Sequence, residues 1–217
     1  MSFAFVTGAY ALGASVSSTV VVGELVIVSV TWLDSTTAQG TMTDGLGNTY
    51  TPVGKVVGNA CTLAVWQSLI SVGGTAVISF TTGTPPTPDY NVHRFTGLQA
   101  STQSAFLSNT ATTTTTDAMT SGSITPAVQP GMLFGFGFDT QNNGIVTGTG
   151  FTNISNGAQQ RQTKAEYLAI ASTAATAATF TMTTTLTNIT LVAGVFFPEP
   201  GAVGATTYYP MGSDMYF

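Results

Sequence analysis

The stretch GELVIVSVTWLD, residues 23–34, has the alternation of a β-strand and decides the fold class. Because the side chains of a strand point alternately to its two faces, every second residue from Val26 to Trp32 shares one face, and all of these are apolar. The opposite face begins with Leu25 and turns polar at Ser29. β-branched and aromatic residues dominate the stretch, as is typical of strands. We therefore predict a strand with one fully apolar face.

A second stretch, GMLFGFGFD at residues 131–139, repeats this pattern. Aligning Val26 with Met132 lays one apolar face on the other, and a later match along the chain pairs Trp66 with Tyr167. A repeat of ~100 residues is too long for the unit of a solenoid. It indicates duplication of a unit of four or five strands, with each copy contributing strands to one core.

The predicted fold is all-β: a single two-sheet β-sandwich over residues 1–197, built from two pseudo-repeated halves and followed by an extended C-terminal tail. The halves cover about residues 15–97 and 124–197. A strand over residues 104–111 is predicted to cross from the first half to the second. Helices have almost no support in the pattern.

The composition limits the classes of function. Only 6% of the 217 residues are charged, against ~25% in an average soluble domain. Because 43% of the residues are hydrophobic, disorder does not explain the low charge. Low charge removes a guard against non-specific association, which suits a subunit fixed in a large assembly or outside a cell. A net charge of -5 with four basic residues argues against nucleic acid, and no window predicts a membrane-spanning helix.

Catalytic chemistry has little support. A hydrolase triad needs a base, and the only histidine, His93, stands between Val92 and Arg94 and is predicted to lie in a sheet with a satisfied hydrogen bond. Asp34 and Asp139 follow the two principal strands, and the repeat predicts that they lie near one rim of the sandwich. They could form the carboxylate pair of a glycosidase, but acids at strand ends are ordinary turn residues. We therefore predict that the protein is not an enzyme and has no cofactor.

Two further groups of residues allow a functional or a structural interpretation. Asp44 and Asn48 could supply oxygen ligands to a calcium loop, but one carboxylate is too few, and we predict a hairpin turn and no metal site. Trp32 and Trp66 could stack on sugars, but they stand on apolar faces and are predicted to lie in the core.

Glycines alternate within the second principal stretch, at Gly131, Gly135 and Gly137. No helix follows them, so they are not the phosphate-binding loop of a nucleotide site. We predict instead that they let another layer or an aromatic ring approach the strand closely.

The last twenty residues, 198–217, have a different character. Pro198, Pro200 and Gly201 are predicted to end the β pattern. Aromatic residues and methionine are enriched in interface cores, whereas solvated tails are polar. We therefore predict that the tail docks either on its own domain or on a neighbouring protein, with the neighbour favoured, through the residues Tyr208, Tyr209, Met211, Met215, Tyr216 and Phe217.

Several segments together resemble a β-sandwich, jelly-roll-like domain that is found in phage virion proteins and in some bacterial surface proteins. They are VGELVIVSVTWLDS, DGLGNTYTPVG, LAVWQSLISVGGTAVISFT, HRFTGL, PGMLFGFGFDT, GTGFTNIS and LVAGVFFP. The resemblance covers about residues 15–198, and the tail is not part of it. It implies a non-enzymatic, virion-associated module and carries over no catalytic residues.

The resemblance, the low charge and the aromatic tail together indicate a phage virion structural protein. We expect a decoration or cement protein on the capsid exterior, with the major capsid protein or other virion proteins as partners and a homo-oligomer, for example a trimer at capsid threefold positions. The alternative is a tail- or fibre-associated adhesin that binds a host-surface glycan. No nucleic acid and no membrane partner are expected.

Overall fold

The computed structural model describes residues 2–58, 61–82, 85, 87–101, 103–111, 118–139, 144–155, 162–182 and 188–204. Over these residues the secondary structure consists of β-strands joined by turns and bends, without a helix. The all-β class predicted from the alternating pattern is confirmed.

The first half of the chain forms eight strands, whose bounds are β1 (Ala4–Leu12), β2 (Ser15–Val20), β3 (Leu25–Trp32), β4 (Thr41–Thr43), β5 (Thr51–Gly58), β6 (Cys61–Leu69), β7 (Gly74–Thr82) and β8 (Asp89–Thr96). The second half again forms eight, namely β9 (Gln103–Ala111), β10 (Ala118–Thr120), β11 (Val128–Asp139), β12 (Ile145–Thr147), β13 (Thr152–Asn153), β14 (Gln162–Ile170), β15 (Thr179–Met182) and β16 (Asn188–Gly204). The strand predicted over residues 104–111 is β9, and it belongs to a sheet of the second half.

In the first half, strands at the two ends of the segment pair with each other, and so do the strands that follow them inward along the chain. β1 pairs with β8, β2 with β7, and β3 with β6, which is the pairing of a long hairpin rolled up into a jelly roll. β3 also pairs with β8, while β5 extends the sheet at β6 and β4 pairs with β7. The result is a five-stranded sheet, β1-β8-β3-β6-β5, and a three-stranded sheet, β2-β7-β4.

The second half repeats this topology strand for strand. Its sheets have the orders β9-β16-β11-β14-β13 and β10-β15-β12, so that every strand occupies the place of the strand eight positions earlier. We call the five-stranded sheets the first and second central sheets, and the three-stranded sheets the first and second outer sheets.

The two central sheets pack face to face, and each carries an outer sheet on its other face. Leu25 and Ile27 of β3 share a hydrophobic cluster with Phe134 and Phe136 of β11, which joins the two halves. The opposite face of β3 packs on the first outer sheet through residues such as Val28. All eight residues of β3 are buried as a consequence. The second outer sheet packs on its central sheet through a separate cluster.

The two halves contact each other in a pseudo-twofold arrangement. β6 of the first half packs on β16, and the equivalent pair, β14 on β8, is made by the rings of Tyr167 and Phe95, whose centroids are 5.8 Å apart. The Gln99 N–H donates to the Pro198 carbonyl oxygen at 2.8 Å, which joins the chain after β8 to β16 beside the start of β11. β3 and β11 therefore begin at the same end of the molecule, which we call the entry end.

The sandwich architecture is confirmed, but the number of sheets differs from the prediction. Each half has eight strands rather than four or five, and each forms its own pair of sheets. The reason lies in the central strands. Since both faces of β3 are apolar enough to require cover, one face packs on an outer sheet and the other on the second half.

The predicted alignment of Val26 with Met132 is wrong, because these two residues lie on non-equivalent faces of their strands. The fully apolar face of β3, with Val26, packs on the outer sheet, whereas the fully apolar face of β11, with Met132, packs on the other half. A shift of one residue exchanges the two faces of a strand, so matching the more apolar faces selected the wrong register. The polar positions Ser29 and Thr31 of β3 face the junction between the halves.

The C-terminal boundary also differs. β16 continues through Pro198 and Pro200 to Gly204, where it pairs with Val128 of β11 across an irregularity in the register. The Glu199 carboxylate accepts hydrogen bonds from the N–H and hydroxyl of Ser2, at 2.8 and 2.9 Å. Residues 198–204 are thus part of the sandwich. Proline is tolerated here because the strand is irregular at this point.

Candidate functional site

The tail residues predicted to bind a partner, Tyr208, Tyr209, Met211, Met215, Tyr216 and Phe217, lie outside the described residues. The segment that carries them follows β16, which ends at the entry end of the molecule. The surface of the entry end is therefore the candidate site of attachment.

Two turns of the first half present exposed valines at the entry end. Val21 and Val22, in the turn between β2 and β3, are 54% and 63% exposed, and Val72, in the turn between β6 and β7, is 45% exposed. The turns touch, because a Cβ added at Gly73 would lie 3.2 Å from the Val20 carbonyl oxygen and 3.6 Å from the Val21 Cα. We call Val21, Val22 and Val72 the valine rim.

A buried ion pair fixes the turn that carries Val21 and Val22. Both guanidinium contacts of Arg94 reach the Glu24 carboxylate, Nε to Oε2 at 2.9 Å and Nη2 to Oε1 at 2.8 Å. The same Oε2 accepts the N–H of Val21 at 2.9 Å. A bidentate pair of this kind combines charge with a fixed geometry. The Glu24 side chain therefore joins the turn to β8 of the central sheet.

A second buried polar group fixes the turn that carries Val72. Asn48 accepts the N–H groups of Ser71 and Val72 through Oδ1, both at 2.9 Å, and donates Nδ2 to the Val72 carbonyl oxygen at 2.9 Å. Asn48 is itself held by Asp44, whose Oδ2 accepts from Nδ2 at 2.6 Å. Both turns of the valine rim are thus rigid.

The residues proposed as an alternative calcium loop form this second network. Asp44 also accepts the N–H of Leu46 and the hydroxyl of Tyr50, at 2.9 and 3.4 Å. Burial, followed by the charge of Asp44, raises the pKa of Tyr50. The Asp44 oxygens are engaged by donors within the turn, and Gly45 and Gly47 take its positive φ angles. The predicted hairpin is wrong, because β4 pairs with β7 and β5 pairs with β6, so the turn joins two different sheets.

The valine rim was not predicted from the sequence. A signal was present, because the apolar run Val20-Val21-Val22 continues past the end of β2 into a turn closed by Gly23. Turns are normally polar, so consecutive valines in one are unusual. No sequence pattern indicated the ion pair between Glu24 and Arg94, since the two residues are far apart in sequence.

His93 lies in the first central sheet and faces the second half. Its ring is 5.5 Å from that of Phe134, measured between centroids, and its side chain is fully buried. Burial lowers its pKa to about 3, opposed by a backbone hydrogen bond with Ile154, so the ring is neutral. Within the described part of the chain, this contact lies outside regular hydrogen-bond geometry. The sheet location predicted for His93 is confirmed.

The polar face of β3 and β8 continues from His93 across the junction of the halves. Ser29 stands beside Asn91, and Thr31 beside Asp89, on paired strands, and all four are buried. Asn91 donates Nδ2 to Asp89 Oδ1 at 3.2 Å. A general base needs access to substrate. These groups are buried completely, so this polar seam is part of the packing between the halves.

Asp34 and Asp139 lie toward the same end of the molecule, because β3 and β11 begin at the opposite one. Asp34 accepts the N–H groups of Thr36 and Thr37, both at 2.9 Å, and the hydrogen bonds from their side chains and backbone hold its pKa below the usual range. It is a turn residue, as the structural interpretation predicts. Asp139 is buried, on the face of β11 that packs on the outer sheet. Their settings do not resemble a glycosidase pair.

Glu166 is a buried carboxylate that the sequence gave no reason to single out. It lies on β14 between the second central and outer sheets, and its oxygens accept the N–H of Gly148 at 2.8 Å and of Thr179 at 3.2 Å. Burial raises its pKa to about 7, although the two backbone hydrogen bonds oppose the shift. Gly135 makes room for it, since a Cβ there would lie 2.8 Å from Glu166 Cγ.

The remaining predictions concern packing. Gly137 does admit an aromatic ring, because an added Cβ would lie 3.1 Å from Phe180. Trp32 and Trp66 are fully buried and pack edge-on against Phe80, so their core location is confirmed. Within the described ranges, no cluster of three or more histidine, cysteine or acidic side chains is arranged to hold a metal ion.

No protein-family model matches the chain, and neither a curated protein nor a solved structure matches it. In the part of the chain that is described, no helix has the length and hydropathy needed to cross a membrane.

Proposed function

We propose that the protein is a non-enzymatic structural subunit of a phage virion, a decoration or cement protein on the capsid exterior. It attaches through apolar subunit contacts and through its C-terminal segment. Its partners are the major capsid protein or other virion proteins, and it is a homo-oligomer.

One observation carries the proposal: the valine rim is an exposed apolar surface held rigid by two buried polar networks. Apolar surface of this kind is typical of protein contact sites, and fixing it in advance reduces the entropy that a contact loses. The ionisable side chains Glu24, Arg94 and Asp44 are engaged in fixing the turns rather than in a reactive cleft. The double sandwich behind them provides a rigid body suited to a shell.

The copy number of the protein in purified native particles tests the location. Quantitative mass spectrometry should give hundreds of copies per particle, in a fixed ratio to the major shell protein. A handful of copies per particle would contradict shell decoration and would favour the adhesin at the tail or a fibre.

Truncation tests the role of the tail. A chain that ends at Gly204 should keep its fold, because β16 remains complete, and should lose binding to particles that lack the protein. Co-sedimentation measures the binding. Truncation after Pro198 is not a suitable variant, since it removes Glu199 and its hydrogen bonds to Ser2. Undiminished binding of the chain that ends at Gly204 would contradict the anchoring role.

A further inference from the structure

The valine rim is specific to the first half. In the second half, the equivalent turns are bridged by Ile124 and Thr176, whose backbones exchange hydrogen bonds of 2.6 and 2.9 Å. The large hydrophobic side chain there, Ile124, is only 5% exposed. The fold therefore does not require exposed apolar side chains in these two turns, so the valine rim is a feature of the first half and not a consequence of the topology.

The chain after β16 begins at the same end of the molecule as the rim. β16 passes Gln99 and Ser2 at the entry end before it stops at Gly204. Thirteen residues follow, 205–217, and an extended chain of that length reaches at most ~43–47 Å. Packed sheets are ~10 Å apart, so the first outer sheet, two layers away, is well within reach.

The composition of this segment matches the rim. It contains three tyrosines, two methionines and one phenylalanine, and its one charged side chain is Asp214. Aromatic and methionine side chains are the usual anchors in apolar pockets. Three valines offer far less area than a stable dimer needs, so a second folded copy is a poorer occupant than a short segment.

We propose that residues 205–217 fold back and dock on the valine rim of their own chain. Attachment to the same chain gives the segment an effective concentration in the millimolar range, which compensates for a small contact area. Docking covers the exposed valines of a protein whose low charge gives little protection against association. The inference describes the free subunit and does not depend on the proposed function. On a particle, the segment would leave the rim, so that both could make the proposed contacts.

Cross-linking tests the proposal in the full-length chain. The native thiol of Cys61 is fully buried, so two introduced cysteines can be oxidised without its participation. The V72C/M215C variant should form an intrachain disulfide on treatment with diamide, seen as a faster monomer band without reductant. The V146C/M215C variant is the matched control, because Val146 is 47% exposed but lies on β12 in the second half.

The expected yield of intrachain disulfide is at least ~10-fold higher for V72C/M215C than for the control, because docking holds the two thiols at millimolar effective concentration. Adding V22D to the first variant should lower its yield toward that of the control. Circular dichroism checks that each variant is folded. Equal yields at the two positions would overturn the proposal, and so would disulfide-linked dimers in place of the monomer, because the segment would then dock on another copy.

A second measurement does not use cysteines. The chain that ends at Gly204 should bind the dye 8-anilinonaphthalene-1-sulfonate more strongly than the full-length chain, and V22D in the truncated chain should reverse the increase. Unchanged dye binding on truncation would contradict docking on the rim.

Discussion

Glu166 shows how one buried carboxyl makes stability depend on pH. Burial raises its pKa from 4.5 to about 7, so folding favours the protonated form. The stabilisation is complete below the pKa of the unfolded chain and is lost as the pH rises through the pKa of the folded protein. A shift of this size corresponds to roughly 3 kcal/mol.

Burial of His93 lowers its pKa from 6.5 to about 3, so its contribution to the free energy of unfolding rises with pH between these values and opposes that of Glu166. The contribution of Glu166 is therefore read as the difference between the wild type and E166Q, since an amide does not titrate. Measured by urea titration, the free energy of unfolding of the wild type relative to E166Q should decrease between about pH 4.5 and pH 7 and level off above. The ionisable groups closest in register are Lys164 on the same strand and Asp139 on β11. K164M serves as the control and should keep the pH dependence of the wild type. An E166Q curve that follows the wild type across this range, with a changed curve in K164M, would contradict the assignment to Glu166.

At the scale of elements, the ion pair between Glu24 and Arg94 ties the turn after β2 to the central sheet. Removing one partner of a buried pair leaves the other without compensation and costs ~3–5 kcal/mol. We expect R94M to lower the free energy of unfolding by about that amount, measured by chemical denaturation. The double variant E24Q/R94M should lose less than the two single losses combined, and additive losses would show that the pair is not coupled.

The strands themselves could largely be predicted from the sequence. Period-two patterns placed β3 within two residues of its observed bounds and β11 within three, because burial of a strand face fixes that pattern directly. The number of sheets could not be predicted this way. A strand buried on both faces has no clean alternation, and the polar residues Ser29 and Thr31 gave no sign that this face of β3 packs at the junction of the two halves.

Less of the candidate site than of the fold could be predicted from the sequence. Exposed valines in a turn are visible in the run from Val20 to Val22, but their importance depends on rigidity. That rigidity comes from Asn48 and Arg94, which reach the turns only through tertiary structure. In the same way, the continuation of β16 past Pro198 depends on an irregular register with β11 that no local pattern indicates.

At the scale of the whole molecule, the shared cluster between the central sheets makes the two halves one unit of folding. Phe136 of β11 is fully buried in that cluster, and F136A should cost ~3–5 kcal/mol. Both tryptophans, Trp32 and Trp66, lie in the first half, so their fluorescence reports on that half alone. Far-ultraviolet circular dichroism reports on both.

We expect the two signals to give the same denaturation midpoint in the wild-type chain and in F136A, with the midpoint of the variant lower. T152A, at an exposed position of β13 in the second half, is the control and should leave the midpoint nearly unchanged. A fluorescence midpoint that does not move in F136A, while the dichroism midpoint falls, would mean that the halves unfold independently.

The hydrogen bonds from Ser2 to Glu199 bring the segment before β1 close to the last residues of β16. A short linker could therefore join the segment before β1 to the segment after β16 without disturbing a strand pair. New termini opened in the exposed loop at residues 35–38 would then lie at the far end of the molecule, away from the valine rim. The protein is therefore suited to circular permutation. A peptide fused at the new termini would project from the end opposite the proposed attachment surface.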